Sequence, residues 1–192
     1  LGVPYLDTGA MYRGVTYAVL KNGIDPDSID AVGNIARTVN LTIGETTLFV
    51  DGFDATDAIR QDDVTAAVSA VSANSQVREE LRQRQRDWIR EHRGGVVEGR
   101  DIGTVVFPDA TLKVYLTASP RVRAQRRVSQ NGGDVNQIAA AIAERDLKDS
   151  TRLDSPLREA SDSIVIDTSD RGVDDVVAQL VDLVGMVESR RG

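Results

Sequence analysis

Cysteine is absent from the 192 residues, which excludes disulfides, thiolate metal sites and cysteine nucleophiles. Histidine occurs once, at His92, which argues against a histidine-rich metal centre and leaves one imidazole for any acid–base role. No apolar run approaches the roughly 20 residues that span a bilayer. No basic-then-apolar segment opens the chain as a secretory signal would, so a cytoplasmic location is expected. Positive charge is in deficit: 23 Lys and Arg stand against 30 Asp and Glu, a net charge of −7. A general nucleic-acid binder is usually basic, so any phosphate site here must be a local basic cluster in an acidic protein. The first residue is Leu1 and not Met, and a strand-like segment follows almost at once, so a further N-terminal segment is expected.

What is present reads as a soluble α/β chain. The hydrophobic share is 41% and the charged share 28%, ordinary for one globular domain with a small insert. Short β-rich runs fall at Val3–Leu6, Val96–Glu98, Leu112–Thr117 and Ile164–Asp167. Helical patterns separate them. Met11, Val15, Ala18 and Val19 share one helix face, which Asn22-Gly23 ends. Val173, Val176, Val177, Leu180, Val181 and Val184 mark a C-terminal helix, with Asp174 and Asp175 in its first turn, where acids suit the dipole. Strands alternating with helices predict a parallel sheet with helices on both faces. One stretch breaks the alternation. Asn40–Ile43 and Thr46–Asp51 read as a hairpin around Gly44-Glu45, Phe53–Ala55 as a third strand, and helical patterns follow through Val64, Val71, Leu81 and Trp88. Residues 40–92 are therefore read as an insert. The core is divided into 1–39, 93–118 and 135–192, with 119–134 as a separate helical element inside a single overall domain.

Arginine placement is the main chemical signal. Arg13 follows the turn Asp7-Thr8-Gly9, and Arg100 follows a strand in Glu98-Gly99-Arg100-Asp101. Ligands of parallel sheets bind beyond the carboxyl ends of strands, where both arginines fall; the alternative for each is a solvated or structural arginine. Arg145, Asp149 and Arg152 lie at i, i+4, i+7, one face of a continuing helix. That face is either an ordinary ion pair, in the less favourable basic-before-acidic order, or a site for a ligand carrying one phosphate and one diol. Arg121, Arg123, Arg126 and Arg127 lie on a helix opened by Ser119-Pro120 and followed by the turn 130–134 (QNGGD). They form either a solvated basic face or a mobile lid. His92 falls at a helix end, where a cation stabilises the dipole, and Trp88 sits at helical spacing from Leu81, as a core residue would.

Three long motifs carry a family resemblance: 5–13 (YLDTGAMYR), 99–108 (GRDIGTVVFP) and Glu144-Arg145-Asp146 through Asp149 and Arg152. In order and spacing, over essentially the whole chain, they resemble the bacterial cytidylate kinases. The resemblance implies a P-loop nucleoside-monophosphate-kinase-like α/β fold in which 40–92 is the CMP-binding insert and 119–134 the lid. It implies transfer of the ATP γ-phosphoryl to CMP or dCMP with Mg2+, by a monomer with no nucleic-acid or membrane partner. Tyr12, Arg13, Arg100 and Arg152 would surround the CMP phosphate, and three arginines neutralise a dianion through charge-assisted hydrogen bonds. Ser69, Arg78 and Asp101 would read the cytosine, whose exocyclic amine suits a carboxylate acceptor. Arg145 and Asp149 would hold the sugar, and Asp7 and Thr8 would shape the pocket wall. Arg123, Arg126 and Arg127 would be lid residues. Arg100, Arg152, Arg126 and Arg127 would be the catalytic arginines, and no residue is assigned as a metal ligand.

The sequence departs from the family at one point. The glycine-rich phosphate loop G-x-x-x-x-G-K-[ST] occurs nowhere in it. That loop cradles the donor phosphates and holds Mg2+, so ATP and Mg2+ rest on resemblance alone. The 192 residues by themselves are expected to bind CMP weakly or moderately without ATP-dependent transfer. Two alternatives to the CMP kinase reading are a kinase preferring UMP or AMP and a non-catalytic CMP-binding protein.

Overall fold

A computed structural model describes residues 1–189. Residues 2–102 and the residues from 103 onwards form two compact units. In the first, β1 (Tyr5–Asp7) leads directly into α1 (Thr8–Lys21). The Asp7 carboxylate caps α1 by accepting from the Ala10 N–H at 3.0 Å, which satisfies one of the orphan donors of the first turn. Met11, Val15, Ala18 and Val19 are each at most 2% exposed, so the predicted face is the buried one. Asn22 caps the end and Gly23 follows at φ +66°, as the Asn-Gly pair predicts.

Next come α2 (Ile29–Thr38) and an antiparallel meander of β2 (Leu41–Ile43), β3 (Leu48–Val50) and β4 (Phe53–Asp54). The predicted hairpin is present, with Ile43 opposite Leu48. Leu48 and Val50 lie against α1 at Gly14, where an added Cβ would come within 2.8 Å of Leu48 Cδ2. A 3-10 turn (Ala58–Arg60), α3 (Asp62–Ala73) and α4 (Ser75–His92) complete the helical part. Val71 of α3 and Val77 and Leu81 of α4 join Leu6, Met11 and Leu48 in one core, with Trp88 packed at its margin. Each such fully buried aliphatic side chain contributes about 1.5–3 kcal/mol. His92 ends α4, stacked on Trp88 and hydrogen-bonded to its carbonyl at 2.8 Å.

β5 (Val96–Glu98) pairs parallel with β1, Asp7 opposite Glu98. Gly95, at φ +147°, permits this start, because a Cβ there would come within 2.7 Å of the Pro4 carbonyl that accepts from Val96 N–H. The first strand runs over Tyr5–Asp7, two residues shorter at its start than the sequence reading, because Pro4 has no N–H to donate.

A π-helical turn (Ile102–Val106) follows Asp101. The second unit holds β6 (Val114–Thr117), α5 (Pro120–Asn131), α6 (Val135–Thr151), β7 (Ile164–Asp167) and α7 (Val173–Glu188). β6 and β7 pair parallel, Val114 opposite Ile164. β6 starts later than predicted, at Val114, where its ladder with β7 begins. Ser119 caps α5 and Asp134 caps α6, and Gly132 and Gly133 turn between them at φ +75° and +104°. The α/β class and its parallel pairing follow the sequence reading, with the parallel strands distributed over two pairs. The apolar stripe of α7 is present, but Val173, Val177 and Val181 are 79%, 50% and 47% exposed.

Arg84 of α4 closes the end of α2. It donates to the carbonyls of Val39, Ala36 and Arg37 at 2.7, 2.8 and 3.3 Å, and its Nε pairs with Glu80 at 2.8 Å. These are the orphan acceptors of a helix C-terminus. Arg84→Ala is expected to destabilise the protein by about 1.5–3 kcal/mol in urea unfolding, and an unchanged midpoint would show that water replaces the guanidinium at no cost.

Candidate active site

Within the first unit, the predicted base-reading residues come together. Arg78, on α4, donates to Asp101 Oδ2 at 2.5 Å, and the two side chains are only 2% and 6% exposed. Arg78 also donates to the Ser72 carbonyl at 3.1 Å, and its guanidinium lies 5.5 Å from the centre of the Tyr12 ring. Arg78 and Asp101 thus form a buried, charged pair with the half-buried Tyr12 beside it. Ser69 lies on α3 between Thr65 and Ser72, at i, i+4, i+7, one stripe of that helix. Thr65, at one end of the stripe, accepts from Arg13 Nη1 at 3.0 Å, and the Ile59 carbonyl accepts from the same nitrogen at 2.9 Å. Ser72, at the other end, meets Arg78. Thr65 and Ser72 were not singled out from the sequence; their shared spacing with Ser69 is the signal that marks them.

The strand ends carry a second cluster. Thr8 is buried and donates to the Glu98 carbonyl at 2.7 Å, tying the start of α1 to the end of β5. Gly99 follows, where a Cβ would come within 2.4 Å of Thr8 Oγ1. Burial and the Asp7 carboxylate opposite raise the Glu98 carboxyl above the ordinary glutamate range, against a hydrogen bond from Tyr5. The Tyr5 hydroxyl is raised as well, by burial first and then by Glu98. Glu98 was read only as part of a motif; its pairing with Asp7 depends on a register between residues far apart in sequence. Arg100 is half-buried in the segment between β5 and the π-helical turn.

The second unit gathers the other predicted residues into two groups. Arg152 Nη1 donates to Asp149 Oδ1 at 3.0 Å, and Arg145 Nε lies 3.9 Å from Asp149 Oδ2. Asp149 is 6% exposed between them. The arginine–carboxylate–arginine set therefore forms, although α6 stops at Thr151 and Arg152 reaches back from an extended backbone. On α5, Arg123 pairs with Asp146 at 2.6 Å and donates to the Ala118 carbonyl at 3.1 Å. Arg126 donates to the Thr168 hydroxyl at 3.0 Å and to the Thr168 carbonyl. Both hold α5 within its own unit. Arg127 makes no hydrogen bond or ion pair among the described residues.

The cytidylate kinase family model matches residues 1–186. The chain belongs to the cytidylate kinase family. A cytidylate kinase of Rhodococcus opacus is 50% identical over 94% of this chain and 83% of its own length. One of Mycobacterium leprae is 47% identical over 96% of this chain and 85% of its own length. A bifunctional pantoate ligase/cytidylate kinase of Synechococcus is 45% identical over 95% of this chain, which spans 38% of that longer relative. Among the described residues of this family member, no helix is long and apolar enough to cross a membrane.

The raised Glu98 carboxyl fixes a sign. The folded state holds this proton more tightly than the unfolded chain, so its contribution favours folding at low pH. That contribution is lost as pH rises through the ordinary glutamate range to the raised folded value. The melting temperature of wild type relative to Glu98→Gln is expected to fall as pH rises through and above the ordinary glutamate range. A difference independent of pH would contradict the raised carboxyl beside Asp7.

Proposed function

We propose that the protein phosphorylates CMP and dCMP to the diphosphates, with ATP as donor. Arg78 and Asp101, paired and buried beside Tyr12 in a chain of this family, are the observation that carries the reading. A buried carboxylate accepts from the cytosine amine and faces the O4 carbonyl of uracil unfavourably, so the cluster favours CMP over UMP. Arg78 and Ser69 supply donors to the ring acceptors. Tyr12, Arg13, Arg100 and Arg152 neutralise the acceptor phosphate, Arg145 and Asp149 hold the sugar hydroxyls, and Asp7 and Thr8 line the pocket. Nothing observed favours a UMP- or AMP-preferring kinase, and membership of the cytidylate kinase family favours a kinase over a non-catalytic binder.

The reaction needs no protein nucleophile. An oxygen of the CMP phosphate attacks the γ-phosphorus in line and ADP leaves, so the protein's work is positioning and charge neutralisation. Arg100 and Arg152 do this at the acceptor phosphate. Of Arg123, Arg126 and Arg127, Arg127 alone has no hydrogen bond or ion pair among the described residues, while Arg123 and Arg126 anchor α5. Among the described residues, no group of three or more His, Asp or Glu side chains could hold a metal ion. Mg2+ does not require one, because it binds one or two carboxylates together with substrate phosphates. Asp7 and Glu98, opposite one another at the strand ends, would hold it, and a cation there would offset the Asp7 repulsion that, after burial, raises the Glu98 carboxyl. Mg2+ supplies neutralisation of the phosphate charge. With CMP, dCMP and ATP as partners, the protein works as a monomer in the cytoplasm.

Calorimetric titration with CMP, UMP, AMP and cytidine tests the acceptor assignment, and ADP release from ATP with CMP present tests the transfer. CMP is expected to bind tightest, and Arg100→Ala to cost CMP about 1.5–3 kcal/mol while sparing cytidine. Equal affinity for CMP and UMP, or equal losses of CMP and cytidine in the variant, would refute it.

A further inference from the structure

The segment after α6 is tied back on itself at a strained residue. Arg152 follows the last helical turn with an extended backbone, yet its guanidinium is held at two nitrogens. Nη1 donates to Asp149 Oδ1 at 3.0 Å, and Nε donates to the Ser155 carbonyl at 2.7 Å. Leu157 N–H closes the loop on the Asp149 carbonyl at 2.8 Å. Ser155 is 6% exposed and sits at φ +51°. Two preferences oppose that conformation. A side chain with a Cβ disfavours the left-handed region, and the following Pro156 pushes Ser155 toward an extended backbone. The Ser155 hydroxyl donates to Asp154 Oδ1 at 2.6 Å, a local bond that supports the turn.

We propose that Ser155 is a positioning residue for Arg152, its left-handed backbone aiming a carbonyl at Nε so that the guanidinium plane is fixed before ligand binds. One acceptor would leave the planar fork free to rotate; acceptors at two different nitrogens set its plane. The ordering of Arg152 is then met during folding and does not weaken ligand binding. Strain held in place by surrounding contacts is characteristic of such sites. The inference rests on the reading of Arg152 as a phosphate ligand, and it adds a residue that never touches the nucleotide.

Calorimetry with CMP and with cytidine on wild type, Arg152→Ala, Ser155→Val and Ser155→Asn separates the two claims. Valine is excluded from positive φ, whereas asparagine tolerates it. Ser155→Val is expected to weaken CMP about tenfold and leave cytidine unchanged, with Ser155→Asn within about twofold of wild type. If Ser155→Val does not fold, Ser155→Ala is read instead, with the same selective loss at roughly threefold. Retained CMP affinity in the variant that is read, or equal losses of CMP and cytidine, overturns the positioning role. Equal losses in Arg152→Ala overturn the phosphate reading itself, and the positioning role falls with it. A selective loss in Arg152→Ala without one at position 155 overturns the positioning role alone.

Discussion

The buried ion pair of Arg78 and Asp101 is the constraint on which the first unit is arranged. Two charges at 2.5 Å with almost no exposure hold only if both stay paired, and removing one partner leaves a buried charge at a cost of about 3–5 kcal/mol. The pair fixes α4 against the segment that leaves β5, and it does so beside Tyr12 of α1. Hydrophobic residues of similar shape would brace the fold as well or better. A carboxylate and a guanidinium, already oriented and desolvated, are what the proposed cytosine site would require of that place.

The same logic runs through the other arginines. An acidic protein that handles phosphates cannot rely on a general positive field, so each cation has to be aimed individually. Arg13 is tied to Ile59 and Thr65, Arg152 to Asp149 and Ser155, and Arg123 and Arg126 to acceptors within their own unit. Neutral carbonyl acceptors recur in these ties, and they orient a guanidinium without cancelling its charge. The carboxylates Asp7 and Glu98 at the strand ends are in the opposite situation, like charges held together by the sheet register.

Local periodicity made much of this legible in advance. The buried stripe of α1, the hairpin around Gly44-Glu45 and the Ser119-Pro120 start of α5 are each written within a few residues. The pairing of Arg152 with Asp149 was visible as spacing. Its mechanism was not, because the carbonyl that completes it depends on Ser155 adopting a backbone that Pro156 disfavours. Arg13 meets Thr65 across 52 residues, and Glu98 meets Asp7 through strand register, contacts that no short window contains. For α7 the pattern shows an apolar face but not what lies against it, so burial could not be read from periodicity.

The central claim is that Asp101, held by Arg78, distinguishes cytosine from uracil. The most direct measurement is the ratio of CMP to UMP affinity in wild type and in Asp101→Asn, each shown to be folded by circular dichroism. An amide can turn either a donor or an acceptor to the base, so the ratio is predicted to fall toward unity, chiefly through weaker CMP binding. An unchanged ratio would contradict the account and leave the buried pair as a structural brace alone.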